Sequence, residues 1–237
     1  MKKFAVFDID GTLIRWQLYH TLVDRLARQN LLGADAHEVI HQARMRWKRR
    51  ESEFGDYEKI LISTYEAVLA NIPTGAFDKL VTQVITEYKD QVYMYTRELI
   101  TTLKQKDYFL IAISGSQDEL VQQVAQYYGF NAHSGSKYLR ESGRFTGEKV
   151  IASHHKKRIL EELVAQYHLD FKDSIAVGDS KSDIPILEMV EEPIAFNPDH
   201  ELFAASQKQE WKIVIERKNM IYRLEWRDGH YQLVETS

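Results

Sequence analysis

A chain of 237 residues, 44% hydrophobic and 28% charged, is long for one compact domain and short for two, which fits a core carrying an inserted subdomain. Its net charge of −4 gives no general electrostatic attraction to nucleic acid or to an anionic membrane. With no cysteine it has no disulfide, thiolate metal site or thiol nucleophile. No stretch reaches the roughly 18 apolar residues of a membrane span, and the opening MKKFAVFDIDGT lacks the long apolar run and cleavage site of a signal peptide. A cytoplasmic protein handling small solutes, with no nucleic-acid or membrane partner, is expected.

In chain order, Lys3 to Phe7 is a short apolar run halted by Asp8, and it reads as a buried parallel strand. From about Trp16 to Glu87 the spacing is helical, through LYHTLVDRLARQNLL, YEKILISTYEAVLANI and, after the Pro73-Thr74-Gly75 break, FDKLVTQVITEY. RELITTLKQK continues the helical pattern, and Phe109 to Ser114 (FLIAIS) is a second strand. ELVQQVAQYYG predicts a helix closed by Gly129. Lys137 to Gly147, with turn residues Ser142-Gly143, predicts a small hairpin. HHKKRILEELVAQYH is an amphipathic helix, while SIAVGDS, EPIAFN and WKIVI are strands. Asp228-Gly229 between two alternating runs predicts a second hairpin.

Strands alternating with helices predict an α/β fold with a doubly wound parallel sheet. The helical block between the first two strands is far longer than a crossover helix. Residues 15–94 are therefore read as an inserted helical cap, with 1–14 and 95–237 forming the core and the C-terminal hairpin at about 219–235.

The strongest chemical signal is Asp8-Ile9-Asp10-Gly11-Thr12, directly after the first strand. Residues two apart in extended chain face the same side, so Asp8 and Asp10 can share a pocket, and Gly11 permits the turn that closes it. Ser114-Gly115-Ser116, between the second strand and a helix, offers a hydroxyl and free amides to an anion. It is no serine-hydrolase elbow, because position 112 is Ala where that motif needs Gly. Lys156 opens a helix, where the dipole disfavours cations. A broken local rule is a modest hint of function, although a solvated charged turn is the commoner explanation. The adjacent His154 and His155 have no partner at ligand spacing and read as solvated. Gly178-Asp179-Ser180-Lys181-Ser182-Asp183 follows a later strand, and with Asp8 and Asp10 it supplies hard oxygen ligands suited to Mg²⁺.

These four signals, in this order and at these strand ends, resemble the haloacid dehalogenase superfamily, specifically its phosphoserine-phosphatase-like branch (subfamily IB). That branch also inserts a helical cap between the first and second motifs, and Asn197 to Leu202 (NPDHEL) resembles its sequences too. The resemblance implies a phosphatase acting on a small phosphomonoester. Asp8 would be the nucleophile, and Asp10 would protonate the leaving group and then activate water. Mg²⁺ would be held by Asp8, the Asp10 carbonyl and Asp179, with Asp183 and Thr12 supporting from behind. Ser114, Gly115 and Lys156 would grip the phosphoryl group. The family's dehalogenases lack the second acid, so Asp10 favours phosphate chemistry.

Two positions depart from phosphoserine phosphatases. Where those enzymes carry a glutamate for the substrate amine, ungapped alignment places Gln17; where they carry a cap arginine for the carboxylate, pairing from Tyr57 reaches Thr64. The cap offers instead Arg15, Trp16, Tyr19 and Tyr57, and the basic run Arg44, Arg46, Trp47, Lys48, Arg49 and Arg50. That run is either a solvated helix face or a site for a second anionic or aromatic group. The C-terminal hairpin, with Tyr222, Trp226 and Tyr231, is structural or an edge for dimerisation, so monomer and homodimer both stand. A phosphotransferase or mutase would use the same residues as a phosphatase. A non-enzymatic phosphoacceptor receiver fits poorly, since receivers are about half this length and have no cap.

Overall fold

The computed structural model describes residues 2–237. In chain order these form β1 (Lys2–Phe7), α1 (Leu18–Arg28), α2 (Ala36–Lys48), α3 (Phe54–Glu66), α4 (Thr74–Tyr88), α5 (Met94–Gln105), β2 (Phe109–Gln117), α6 (Asp118–Tyr128), β3 (Ala132–Glu141) and β4 (Arg144–Val150). There follow α7 (Lys156–Gln166), β5 (Leu169–Gly178), α8 (Ile184–Leu187), β6 (Glu192–Phe196), α9 (His200–Gln209), β7 (Lys212–Arg217), β8 (Met220–Arg227) and β9 (His230–Thr236). None of these helices is long and apolar enough to cross a membrane.

The chain divides into two compact units. The first contains residues up to Trp16, Tyr88–Ser136 and Ile151–Ser237. Its strands lie in the order β3-β2-β1-β5-β6-β7-β8-β9, parallel from β3 to β7 and antiparallel beyond. This is an α/β doubly wound sheet. The order runs outward in both directions from β1, so the topological switch lies at the carboxyl ends of β1 and its two neighbours. Phe4, Ala5, Val6 and Phe7 are all fully buried, as expected of a central strand covered on both faces and of the unbroken apolar run that encodes it. Around it Ile111, Ile113, Leu160, Leu169, Ala176, Ile186, Ala195, Leu202 and Ile213 form one continuous core. Helices α5 and α6 pack on β2, and α7 and α8 on β5. Gly129 closes α6 in the left-handed conformation, with φ of 64°.

Strand β2 runs three residues beyond the apolar stretch, because Gln117 pairs with Ser136 of β3 after an irregularity in register. The Ser114-Gly115-Ser116 segment is therefore held within the end of a strand.

The second unit contains Gln17–Glu87 and Lys137–Val150. The sequence reading puts the Ser142-Gly143 hairpin with the core; the structure packs it with the helices. Phe145 meets Phe77 edge to face at 5.0 Å, and Arg140 grips Asp78 through two hydrogen bonds of 3.0 and 2.8 Å. Tyr138 donates to Glu66 at 3.0 Å, and the Thr74 amide donates to the Gly143 carbonyl at 3.1 Å. Such links between distant segments carry no periodic signature. The hairpin turn itself is as predicted: Ser142 and Gly143 take φ of 49° and 77°, and Asp228 and Gly229 take 53° and 80°, as two-residue type I′ loops require.

Phe145 is 4% exposed, so its truncation leaves a cavity against Phe77. Phe145→Ala is expected to cost about 3–5 kcal/mol of stability in urea unfolding, and to open the 137–150 segment to limited proteolysis before the rest of the chain.

Candidate active site

Four segments converge at the switch point. Asp8 follows β1 directly, and its amide donates to the Val177 carbonyl of β5 at 2.9 Å. The chain then turns sharply, with Gly11 at φ of +86°, its amide bonded to the Ile14 carbonyl, and Leu13 and Ile14 both donating to the Ile9 carbonyl at 2.9 Å. A side chain at position 11 is excluded, since a Cβ there would lie 2.1 Å from Asp179 Oδ2. Asp10 is thereby brought to Ser114, whose hydroxyl donates to Asp10 Oδ2 at 2.7 Å and accepts the Ser116 amide at 3.0 Å.

Lys156 is the first residue of α7, and its side chain is 1% exposed. Its Nζ donates to Asp8 Oδ1 at 2.6 Å and to Asp183 Oδ1 at 2.5 Å. These carboxylates explain why a cation is tolerated at a helix start. Burial favours the neutral amine, but Asp183 and Asp8 outweigh it and hold Lys156 in the ammonium form. Asp183 is fully buried. Its other oxygen accepts the amides of Asp179 and Ser180 at 3.1 and 3.0 Å and the Ser180 hydroxyl at 3.1 Å. Asp183 thus fixes both the acidic loop and Lys156. Gly178 makes room for it, as a Cβ there would lie 2.4 Å from the Asp183 Cβ.

Carboxylate oxygens of Asp8, Asp179 and Asp183 lie within 4.8 Å of one another, with one lysine among them. Burial, and then Asp183 and Asp10, push the Asp8 carboxyl up to about 7 against the pull of Lys156. Burial, then Asp8 and Asp183, raise Asp179 well above the usual carboxylate range, with Lys156 and the Thr12 hydroxyl opposing. Thr12 donates to Asp179 Oδ1 at 3.3 Å. Crowded hard oxygens short of positive charge are the donor set that a divalent cation such as Mg²⁺ suits.

Each chemical residue singled out in the sequence (Asp8, Asp10, Thr12, Ser114, Gly115, Lys156, Asp179, Asp183) belongs to this region of the first unit. Sequence reasoning missed Ser153. It lies beside the Ser114-Gly115 end of β2, with its Cβ 3.2 Å from where a Gly115 side chain would begin; nothing in its local pattern marks it. The substrate candidates fare differently. Arg15 is expected to meet substrate, but its Nε donates to the Val92 carbonyl at 2.7 Å, its guanidinium pairs with Glu216, and it covers the Tyr93 ring at 4.8 Å. Although its side chain is 38% exposed, these contacts tie it to the first unit. Trp16 and Gln17 are half-buried. Tyr57, in the second unit, is fully buried. Its hydroxyl accepts from Arg44 at 2.9 Å and its ring stacks on Trp47 at 5.7 Å, so it serves that unit's interior. Arg46 is exposed on α2, as are Lys48, Arg49 and Arg50 beyond it, while Arg44 pairs with Asp24 at 2.7 Å.

Residues 5–188 match the haloacid dehalogenase-like hydrolases. The chain belongs to that family. It is 25% identical over 200 residues to a phosphoserine phosphatase of Archaeoglobus fulgidus, covering 83% of this chain and 53% of that one, so it spans about half that relative's length. A histidinol-phosphatase of Neisseria meningitidis is 24% identical over 228 residues, covering 90% of this chain and 99% of its own. Among solved structures, a protein of unknown function from Bordetella pertussis superposes with a TM-score of 0.73 at 20% identity, covering 91% of this chain and 99% of that one.

Gly11→Ala should keep the fold but displace Asp179. Titration calorimetry is expected to show Mg²⁺ binding weakened by about tenfold or more, with circular dichroism close to wild type.

Proposed function

We propose that this chain is a Mg²⁺-dependent phosphomonoester hydrolase that works on a small phosphorylated metabolite through an aspartyl-phosphate on Asp8. The observation that carries the reading is the buried Asp8 carboxylate, held at Oδ1 by Lys156 at the switch point of the sheet, with Asp10 bonded to Ser114 across the same turn.

The Asp8 carboxylate attacks phosphorus and the bond to the leaving oxygen breaks, while Asp10 donates a proton to that oxygen as it departs. Asp10 then takes a proton from water, whose oxygen attacks the aspartyl-phosphate, releasing phosphate and restoring Asp8. The Ser114 hydroxyl holds Asp10 in place, and Lys156 together with amides at the Ser114-Gly115 end of β2 faces the negative charge of the phosphoryl oxygens. Mg²⁺ held by Asp8, Asp179 and the Asp10 carbonyl would supply further positive charge there and keep the crowded carboxylates ionised. Splitting hydrolysis through a covalent intermediate replaces one difficult displacement with two easier ones.

For the substrate, the departures at Gln17 and Thr64 favour a phosphomonoester that is not an α-amino acid. Gln17 carries no charge for an ammonium, and the Thr64 hydroxyl donates to the Ile60 carbonyl within its own helix at 2.8 Å. The match to a histidinol-phosphatase across nearly its whole length puts phosphorylated alcohols that lack a carboxylate first among the classes to test.

Two results are expected. Asp8→Asn should keep the fold but retain less than about 1% of wild-type turnover of p-nitrophenyl phosphate, because an amide is a poor nucleophile; higher residual turnover removes Asp8 from this role. In a Mg²⁺-supplemented metabolite screen, kcat/KM for L-phosphoserine should lie about a thousandfold or more below the best substrate. Phosphoserine ranking first would overturn the substrate argument.

A further inference from the structure

The first unit contains a further buried acid, to which the reaction above gives no part. Glu216 lies on β7, beyond the residues 5–188 that match the family, and its side chain is 1% exposed. Its carboxylate accepts the amides of Met94 at 3.1 Å and Tyr95 at 2.9 Å, the first two residues of α5, and pairs with the Arg15 guanidinium. An anion on the first amides of a helix satisfies donors that have no partner within the helix and complements its dipole. The α5 N-terminus has no side-chain cap of its own, so this one comes from a strand more than a hundred residues away in sequence. Glu216 is fixed in turn, since its amide donates to Asn197 Oδ1 at 2.8 Å.

What the carboxylate gathers matters more than the cap. Arg15 and Val92 to Tyr95 lie where the chain leaves the first unit and where it resumes. Both stretches are tied to the turn that carries Asp10. Arg15 donates its amide to the Gln91 carbonyl at 2.8 Å, and the Tyr93 amide donates to the Leu13 carbonyl at 3.0 Å. Thr96 Oγ1 donates to the Thr12 carbonyl at 2.9 Å, and Ile14 bridges Val92. Phe196, at the end of β6, stacks on Tyr95 at 5.7 Å and meets Tyr93 edge to face at 4.9 Å.

We propose that Glu216 is a positioning residue: by clamping Arg15 and the start of α5 it holds the Asp10–Ile14 turn so that Asp10 meets the leaving oxygen. The proposal rests on Asp10 as proton donor. An Asp10 that has drifted should slow formation of the aspartyl-phosphate from esters whose leaving group needs a proton, spare that step where the leaving group departs as a stable anion, and slow hydrolysis of the intermediate from both.

The experiment compares wild type, Glu216→Gln and Glu216→Ala on an alkyl phosphate and on p-nitrophenyl phosphate with Mg²⁺, alongside amide hydrogen exchange and thermal unfolding. In rapid-quench single turnovers of Glu216→Gln, aspartyl-phosphate formation from the alkyl ester is expected to slow about tenfold or more, since small misplacements of a catalytic group are costly. Formation from the nitrophenyl ester should change by less than about threefold, while breakdown of the intermediate slows to the same extent from both esters. Exchange should quicken at the amides of Tyr93, Met94 and Tyr95, and Glu216→Ala should go further in the same direction. A purely structural role would lower the melting temperature and slow formation of the intermediate from both esters alike. An equal slowing of that formation step on both esters, or no slowing, overturns the proposal. If Glu216→Ala fails to fold, the isosteric Glu216→Gln decides. If wild type hydrolyses neither ester, the functional reading itself fails, and unchanged exchange at Tyr93 to Tyr95 in Glu216→Gln then overturns the clamp.

Discussion

A single ammonium group shared between buried carboxylates is the constraint on which the site depends. Removing Asp8, Asp183 and Lys156 from water carries a penalty of several kcal/mol per ion, recovered only when geometry is close and the remaining lone pairs are bonded. Those conditions are met here by backbone. Two amides and a hydroxyl take the second oxygen of Asp183, and glycines at 11 and 178 let the acids approach where any side chain would collide. Each part needs the others. Without Lys156 the acids would repel, and without Asp183 the lysine would sit buried beside a helix N-terminus that opposes its charge.

The same arrangement explains how a site built of acids can receive an anion. Lysine offsets one negative charge among three carboxylates, and the deficit is visible in Asp8 and Asp179, both held above the usual carboxylate range. The position that would relieve it is a hard cation among those oxygens. Parallel strands, by ending together, bring the groups from β1, β2 and β5 to one edge without any of them being close in sequence.

What was legible in the sequence follows from this. Asp8 and Asp10, or Asp179 and Asp183, are neighbours whose spacing already states their geometry, and the apolar run before Asp8 is the strand that delivers it. The glycine turns at 143 and 229 were equally local. Arg15 was not legible as a structural residue, because its partner Glu216 lies 201 positions away. An isolated arginine beside a motif reads naturally as a substrate contact. Tyr57 also reads as a substrate contact, whereas its hydroxyl is claimed by Arg44 and its ring by Trp47 on the preceding helix. The end of β2 was cut short at Ser114 because Gly115 and Ser116 read as loop, whereas the Ser136 hydroxyl bonded to the Gly115 carbonyl at 2.7 Å keeps that stretch beside β3.

The allegiance of the 137–150 hairpin to the helical unit has a consequence for how such proteins diversify. Because the chain passes between its two units four times, at 16/17, 87/88, 136/137 and 150/151, the second unit is not one cassette. A recombination that exchanged Gln17–Glu87 alone would strand Tyr138 and Phe145 without Glu66 and Phe77, and would leave Arg140 without its acid. Viable exchanges must carry both segments together. Inheritance in this lineage should therefore favour gradual substitution within the helical unit over its wholesale replacement, and the two segments should change in concert.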